Sequence, residues 1–200
     1  MRLGNIIGNR STFFKNARSI MIPIDCFPCL LSTAYKDFTV FKTLGEGAYG
    51  KVLLARFKRA KNENNFLAIK ACRKDITVEQ DLITAAYLER ECLSLNHNFL
   101  VKAICTFHDP NHLFYVMEFH RGGDLYNFKK NTRGNVFKQD SVRIFGLEVL
   151  LGLRYLHRKG FLYRDVKLDN VLLGNDGHCR IADFGLVKDL RAGFASMINR

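Results

Sequence analysis

The stretch Tyr163-Arg164-Asp165-Val166-Lys167-Leu168-Asp169-Asn170 brings three kinds of reactive side chain, carboxylate, amine and amide, into eight residues. Asp183-Phe184-Gly185 follows thirteen positions after Asn170. Upstream lie a glycine-rich segment, Gly45-Glu46-Gly47-Ala48-Tyr49-Gly50-Lys51-Val52, and a lysine in Ala68-Ile69-Lys70. Each motif alone is weak evidence, but four motifs in this order and at these spacings are specific.

The glycine-rich segment has the G-x-G-x-x-G spacing that is also found in dinucleotide sites. In those sites a strand precedes the glycines and a helix follows them. Here Val52-Leu53-Leu54 continues as a strand, so the pattern predicts a hairpin that folds over phosphates. Small residues allow close approach of the backbone, whose N–H groups can donate to phosphate oxygens. An ordinary glycine-containing turn is the alternative, and the later motifs disfavour it.

Lys70 stands among apolar residues in a predicted strand. Burial of an unpaired charge is costly, so this lysine needs an anionic partner. The helix that follows offers Glu89 and Glu91, and Glu89 is favoured because Leu93 lies one turn further on the same inward face. The alternative is a lysine on an edge strand that points into solvent.

The hydrophobic pattern predicts an α+β fold, with a mostly β lobe followed by the start of a mostly α lobe. The predicted strands cover residues 38–44, 52–57, 66–71, 101–107 and 113–119, and a helix covers 79–95. Asp140-Ser141 is predicted to cap a helix that runs to about His157. Its core-facing residues would be Val142, Phe145, Val149, Leu150, Leu153 and Leu156. Residues 171–173 and 178–182 form a predicted hairpin.

Composition excludes several classes of protein. Hydrophobic residues make up 48% of the chain, which is enough for a core, and charged residues make up 25%. The absence of an apolar run of eighteen residues argues against a transmembrane segment. Six scattered cysteines without a secretory signal indicate a reducing, cytoplasmic environment. Cys26 and Cys29 have the spacing of a zinc or redox pair, but no second pair accompanies them, so two incidental thiols are expected.

The formal net charge is +12, and residues 1–36 contribute five basic residues and one acid. Elsewhere the basic residues are interspersed with acids, without a nucleic-acid-binding signature, so a basic solvated surface is expected rather than a nucleic-acid partner. Residues 1–36 are predicted to be a basic, disordered extension. A mitochondrial presequence is a weaker alternative, because no clear amphipathic helix is present.

Together these motifs resemble those of eukaryotic Ser/Thr protein kinases of the AGC group, and are most similar to protein kinase C and protein kinase N. The resemblance covers about residues 38–188. Besides the motifs above, the segments that carry it are Ile181–Leu186, Met117–Phe119 and Gly122–Leu125. Lys167, two residues after Asp165, is typical of the Ser/Thr class. The resemblance implies a protein-kinase-like fold, with a five-stranded antiparallel N-lobe containing one helix. It also implies ATP-dependent phosphorylation of Ser/Thr in protein substrates.

The resemblance also assigns roles to residues. Asp165 would act as the base, Lys167 would neutralise the transferring phosphoryl group, and Asn170 and Asp183 would hold Mg²⁺. Lys70, paired with Glu89, would hold the α- and β-phosphates of ATP. The other implied nucleotide-binding residues are Leu44, Gly45, Glu46, Gly47, Ala48, Tyr49, Gly50, Lys51, Val52, Ala68, Met117, Glu118, His120, Asp124 and Leu172.

Protein substrates are the implied partners. Asp124 and Asp169 match positions at which related kinases read arginines upstream of the phosphoacceptor, so substrates with basic motifs are expected. An upstream activating kinase is a further expected partner.

The sequence departs from the family at several points. Tyr163 replaces the commoner histidine, Ala103 replaces a larger apolar residue, and no Ala-Pro-Glu string follows Lys188. The chain is therefore expected to be a C-terminally truncated kinase domain over 37–200, with an N-lobe at about 37–119 and an incomplete C-lobe at about 120–200. The alternative is a catalytically weak or inactive fragment that binds a nucleotide or a partner.

Overall fold

The computed structural model describes residues 33–47, 50–60, 62 and 64–191. The chain divides into two compact units. Among the described residues, the first unit includes those up to Ile83 and residues 103–119, and the second includes residues 84–102 and those from His120 to Arg191.

Five strands form the antiparallel sheet of the first unit, in the order β1-β2-β3-β5-β4. They are β1 (Phe38–Gly47), β2 (Gly50–Phe57), β3 (Phe66–Arg73), β4 (Ala103–His108) and β5 (His112–Glu118). The Asp109 carboxylate accepts the backbone N–H groups of Asn111 and His112 and so closes the β4–β5 turn. The predicted five-stranded antiparallel sheet is confirmed.

Side-chain alternation gives this sheet a core face. Ile69 of β3 and Val116 of β5 are paired opposite each other, and both are almost completely buried. They belong to a cluster that includes Phe38, Ala55, Phe57, Leu67, Ile104, Cys105, Phe107 and Phe114. Successive strand residues point to opposite faces, so the residues between these core positions lie on the other side of the sheet.

The predicted helix over 79–95 is wrong at its start. The chain forms α1 (Lys74–Glu79) and then α2 (Ile83–Leu93). Asp81 separates them with a φ of 53°, a left-handed conformation that short polar side chains tolerate. The N–H of Leu82 turns back to the carbonyl of Thr77 at 2.8 Å, which ends the first helix.

The remaining elements belong to the second unit. They are α3 (Leu125–Lys130), α4 (Gln139–Arg158), β6 (Phe161–Leu162), β7 (Val171–Leu173), β8 (Cys179–Ile181) and β9 (Lys188–Asp189). Strands β6 and β9 pair, and β7 and β8 form the predicted hairpin. No helix in the described part of the chain is both long and apolar enough to cross a membrane.

Helix α4 differs from its prediction at its first turn and along one face. Lys138, not Asp140-Ser141, is the N-cap, and Asp140 lies inside the first turn, where a negative charge favours the helix dipole. Val142 and Leu150 are 52% and 64% exposed, so they do not face a core among the described residues. The apolar surface of this helix is therefore wider than the part of it that the described residues bury.

The buried residues of α4 are Glu148, Gly152 and Leu156, spaced four residues apart. Leu156 was predicted to face the core, and the predicted Phe145 and Val149 pack against a core cluster. A Cβ on Gly152 would lie 2.9 Å from Ile181 Cδ1 and 3.0 Å from the Phe99 carbonyl oxygen. Glycine at this position therefore allows α4 to approach β8 closely.

Candidate active site

Asp165 lies at the centre of a polar cluster in the second unit. Its Oδ2 accepts a hydrogen bond from Lys167 Nζ at 2.9 Å and another from Asn170 Nδ2 at 2.7 Å. Asn170 is buried, whereas Asp165 is half-buried and Lys167 is exposed. The structure thus joins three of the predicted catalytic and metal-binding residues through one carboxylate oxygen.

The β7–β8 hairpin brings the two predicted metal ligands to the same end. Val171 is paired with Ile181, so Asn170 directly precedes one strand and Asp183 follows the other by two residues. The Ala182 N–H donates to the Asn170 carbonyl at 2.8 Å and extends the pairing toward both residues.

Unusual backbone conformations mark the loops around these residues. Arg164 has a φ of 69° and Asp183 a φ of 51°, both in the left-handed region. For a non-glycine residue such a conformation costs on the order of 1 kcal/mol and must be held by its surroundings. Arg164 is held by its side chain, whose Nε donates to the Leu186 carbonyl at 2.7 Å.

Tyr163 connects the two loops. Its hydroxyl donates to the Ala182 carbonyl at 2.6 Å, and its ring contacts Phe184 edge-on at 6.0 Å. Both rings are buried, Phe184 completely. The residue that departs from the family pattern therefore fixes the Asp165 loop to the Asp183 loop, a role that the sequence alone did not reveal.

Glu148 is a buried carboxylate that the sequence analysis missed. From α4 it accepts the Cys179 N–H at 2.8 Å through Oε2, and its Oε1 contacts His178 Nδ1 at 2.5 Å. Burial acts to raise the pKa of Glu148, but the hydrogen bonds from Cys179 and His178 outweigh it and hold the pKa below its ordinary value. The sequence could have indicated this residue, because a glutamate at a core-facing position of an amphipathic helix is rarely buried without a partner.

We expect His178 to make the stability of this unit depend on pH. The hydrogen bond to Glu148 raises the pKa of His178 above its ordinary value of 6.5. A raised folded-state pKa contributes stability below the unfolded pKa, and this stability is lost as the pH rises through the folded pKa. His178→Gln should therefore remove part of the decline in unfolding free energy above about pH 6.5, measured by urea unfolding across a pH series.

The difference between the native and His178→Gln curves isolates this residue. Burial lowers the pKa of His97, which gives an opposite pH dependence, but His97 is present in both proteins. Parallel curves across pH 6 to 8, roughly the range in which histidine titrates, would contradict the assignment.

In the first unit, the predicted nucleotide residues share one face of the sheet. Val52 is paired with Lys70, and Ala68 is paired with Met117. Paired residues of an antiparallel sheet point to the same side, as do residues two apart on one strand, so these four side chains lie opposite the core face. All four are half-buried.

The glycine-rich segment forms the end of the β1–β2 hairpin. Gly45 pairs with Val52, Glu46 with Lys51 and Gly47 with Gly50. Lys51 and Glu46 also form an exposed ion pair at 3.2 Å. The hairpin prediction therefore fits the register. Ala48 and Tyr49 lie outside the described residues.

Three further nucleotide candidates are not among these paired residues. Leu44, beside a register shift in β1, is 39% exposed. Glu118 is exposed at the end of β5, and His120 is buried.

Two other candidates in the second unit lie next to each other, since an isolated β-bridge joins Asp124 to Leu172. Asp124 is the N-cap of α3, and its carboxylate accepts the Asn127 backbone N–H at 2.7 Å and the Asn127 side-chain amide at 2.8 Å. Its predicted contact with the nucleotide or with a substrate arginine thus involves a carboxylate that also caps a helix.

Helix α2 carries both candidate partners of Lys70. Glu89 is buried, whereas Glu91 accepts hydrogen bonds from Arg191. Lys70 belongs to the first unit and Glu89 to the second, so their pairing stays a prediction.

Comparison with known proteins identifies the class to which this fold and these motifs belong. A family model described as the protein kinase domain matches residues 38–198, and the chain therefore belongs to the protein kinase domain family.

Within this family the chain is similar to proteins named protein kinase C. It is 40% identical over 181 residues to the putative protein kinase C delta type homolog of Drosophila melanogaster, covering 89% of this chain and 26% of that protein. It is 42% identical over 156 residues to the human protein kinase C eta type, covering 76% of this chain and 22% of that protein. Against the Mus musculus delta type, identity is 43% over 156 residues, covering 77% and 22%. The predicted resemblance to protein kinase C is confirmed, and the chain spans about a quarter of the length of these relatives.

Proposed function

We propose that this protein transfers the γ-phosphoryl group of ATP to serine or threonine hydroxyls of protein substrates. The observation that carries the proposal is the Asp165 carboxylate, held by Lys167 and Asn170 at one end of the hairpin that leads to Asp183. Membership of the protein kinase domain family supports the same chemistry.

Asp165 would accept or orient the proton of the attacking hydroxyl. Asn170 and Lys167 both donate to its Oδ2, so the carboxylate has a fixed orientation before a substrate binds. Such preorganisation lowers the reorganisation needed in the transition state. The Lys167 ammonium would in turn neutralise charge on the phosphoryl group as it moves.

Asn170 and Asp183 fit a hard divalent cation such as Mg²⁺. Because the Asn170 side-chain nitrogen, Nδ2, donates to Asp165, the side-chain oxygen, Oδ1, is left for a metal ion. Asp183 offers a carboxylate, and Mg²⁺ prefers one or two such oxygen ligands together with substrate phosphates. When bound, the ion would neutralise the charge of the β- and γ-phosphates.

The first unit offers residues for the nucleotide. Lys70 would hold the α- and β-phosphates, and Val52, Ala68 and Met117 would contact the adenine from the same sheet face. A Cβ at Gly45 or Gly47 would meet no atom within 4 Å, so packing among the described residues does not require glycine there. Close approach of phosphates to the backbone would explain why glycine occupies these two positions.

A peptide assay tests the proposal. The whole chain would be incubated with Mg²⁺, labelled ATP and four peptides that differ only in the acceptor residue: serine, threonine, tyrosine or alanine. We expect label on the serine and threonine peptides and at most about 1% of that rate on tyrosine, because Lys167 marks the Ser/Thr class. Equal labelling of tyrosine, or no labelling together with no ATP binding, would refute the proposal.

Substrate choice and cellular context extend this proposal. Asp124 and Asp169 would favour substrates with arginines upstream of the acceptor. Comparing the labelling of the same peptides with and without those arginines would measure this preference. The proposal also includes an upstream kinase that activates this protein, and a location in the cytoplasm.

A further inference from the structure

Arg191 connects two segments of the second unit that lie 100 residues apart in sequence. Its guanidinium donates to both carboxylate oxygens of Glu91 on α2, with Nη2 to Oε2 at 3.0 Å. It also donates to both oxygens of Asp189 at the end of β9, with Nε to Oδ1 at 2.9 Å and Nη2 to Oδ2 at 2.7 Å. One side chain therefore holds a helix and the segment that follows the Asp183 loop.

The surroundings are shaped to hold this side chain. The guanidinium carbon lies 4.5 Å from the centre of the Phe161 ring, which suits a cation–π contact. Beneath its stem lies Gly160, with a φ of 81°, where a Cβ would come within 2.4 Å of Arg191 Cγ. Leu190 N–H also donates to the Gly160 carbonyl at 2.8 Å, which anchors the backbone just before Arg191.

These contacts suit arginine better than lysine. A planar guanidinium can serve two carboxylates with paired hydrogen bonds, whereas a lysine ammonium is a single point charge. Asp189 has a side chain only 12% exposed, and its hydrogen bonds from Arg191 hold its pKa below the ordinary value of 3.8. The Glu91 side chain is 29% exposed, so water screens this pair only in part.

The helix held by this contact carries the predicted partner of the ATP-binding lysine. Glu91 lies two residues after Glu89, and Glu89 is buried. We infer that Arg191 is a positioning residue, which fixes α2, and with it Glu89, to the segment after Gly185. The inference rests on the proposed function, since Glu89 matters only if the chain binds ATP.

Hydrogen exchange of the whole chain tests the attachment directly. Arg191→Lys keeps the charge but loses the paired hydrogen bonds, and amide exchange in α2 should become roughly tenfold faster. Glu91→Gln, which changes the other end of the contact, should give the same result. Arg180→Lys is the matched control, because Arg180 also binds a carboxylate with two nitrogens, but its partner Asp176 lies in the same hairpin. Native-like exchange of α2 in both Arg191→Lys and Glu91→Gln would overturn the inference.

Nucleotide affinity separates positioning from mere stabilisation. With a fluorescent ATP analogue and Mg²⁺, Arg191→Lys should weaken binding roughly fivefold, because a displaced Glu89 no longer orients the lysine. Arg180→Lys should lower thermal stability without changing that affinity. Unchanged affinity in Arg191→Lys would overturn the positioning role. If the native chain binds no nucleotide, the proposed function fails, while the exchange experiment still decides whether Arg191 fixes α2.

Discussion

Replacing Asp165 with asparagine is expected to lower kcat for phosphoryl transfer roughly 10³-fold, with little change in the KM for ATP. The substitution preserves the size of the side chain and leaves an oxygen that can still accept from Lys167 or Asn170. It removes the negative charge that accepts the hydroxyl proton. Loss of a group that acts mainly in the transition state should lower kcat and kcat/KM together.

Steady-state kinetics with a serine peptide, at saturating and limiting ATP, would measure this effect. Asp140→Asn is a suitable control, because that aspartate lies in the same unit, is largely exposed and pairs only with Arg143 among the described residues. We expect the control to retain native kinetics. A comparable loss in both variants, or a loss that appears only in the KM for ATP, would argue against Asp165 as the base.

The sheet could be predicted from the sequence because alternation of apolar and polar residues is a local signal. Each predicted strand matches an observed strand, with ends that differ by up to three residues. The start of α2 could not be predicted in this way. Residues 79–82 fit a helical pattern, but Asp81 adopts a left-handed backbone that only the turn between two helices requires.

The residues of the candidate site also divide into those that a local pattern predicts and those that it does not. Asp165, Lys167 and Asn170 lie within six residues, so their spacing in sequence is enough to group them, and their hydrogen bonds agree with that grouping. Glu148 could not be grouped with His178, nor Arg191 with Glu91, because these partners lie 30 and 100 residues apart in sequence. Contacts of that kind depend on the tertiary fold, which no local pattern encodes.

The glycine-rich segment allows structural and functional glycines to be separated by one set of substitutions. A Cβ at Gly50 would lie 1.9 Å from the Ala71 carbonyl oxygen of β3, a distance that no side-chain rotation can relieve. Gly50→Ala should therefore force β2 and β3 apart and lower the free energy of unfolding by about 3 kcal/mol, measured by urea unfolding. Gly45→Ala and Gly47→Ala meet no such neighbour and should stay within about 0.5 kcal/mol of the native protein.

Nucleotide binding should show the opposite order among the three glycines, provided that Gly50→Ala is measured at a temperature where it remains folded. An added methyl group at Gly45 or Gly47 projects into open space in the structure, so its effect would arise only when phosphates approach the backbone. We expect these two variants to weaken ATP binding roughly tenfold at native stability. If Gly45→Ala and Gly47→Ala bind ATP as the native chain does, these glycines do not mark a phosphate-binding hairpin, and the motif reduces to the packing requirement at Gly50.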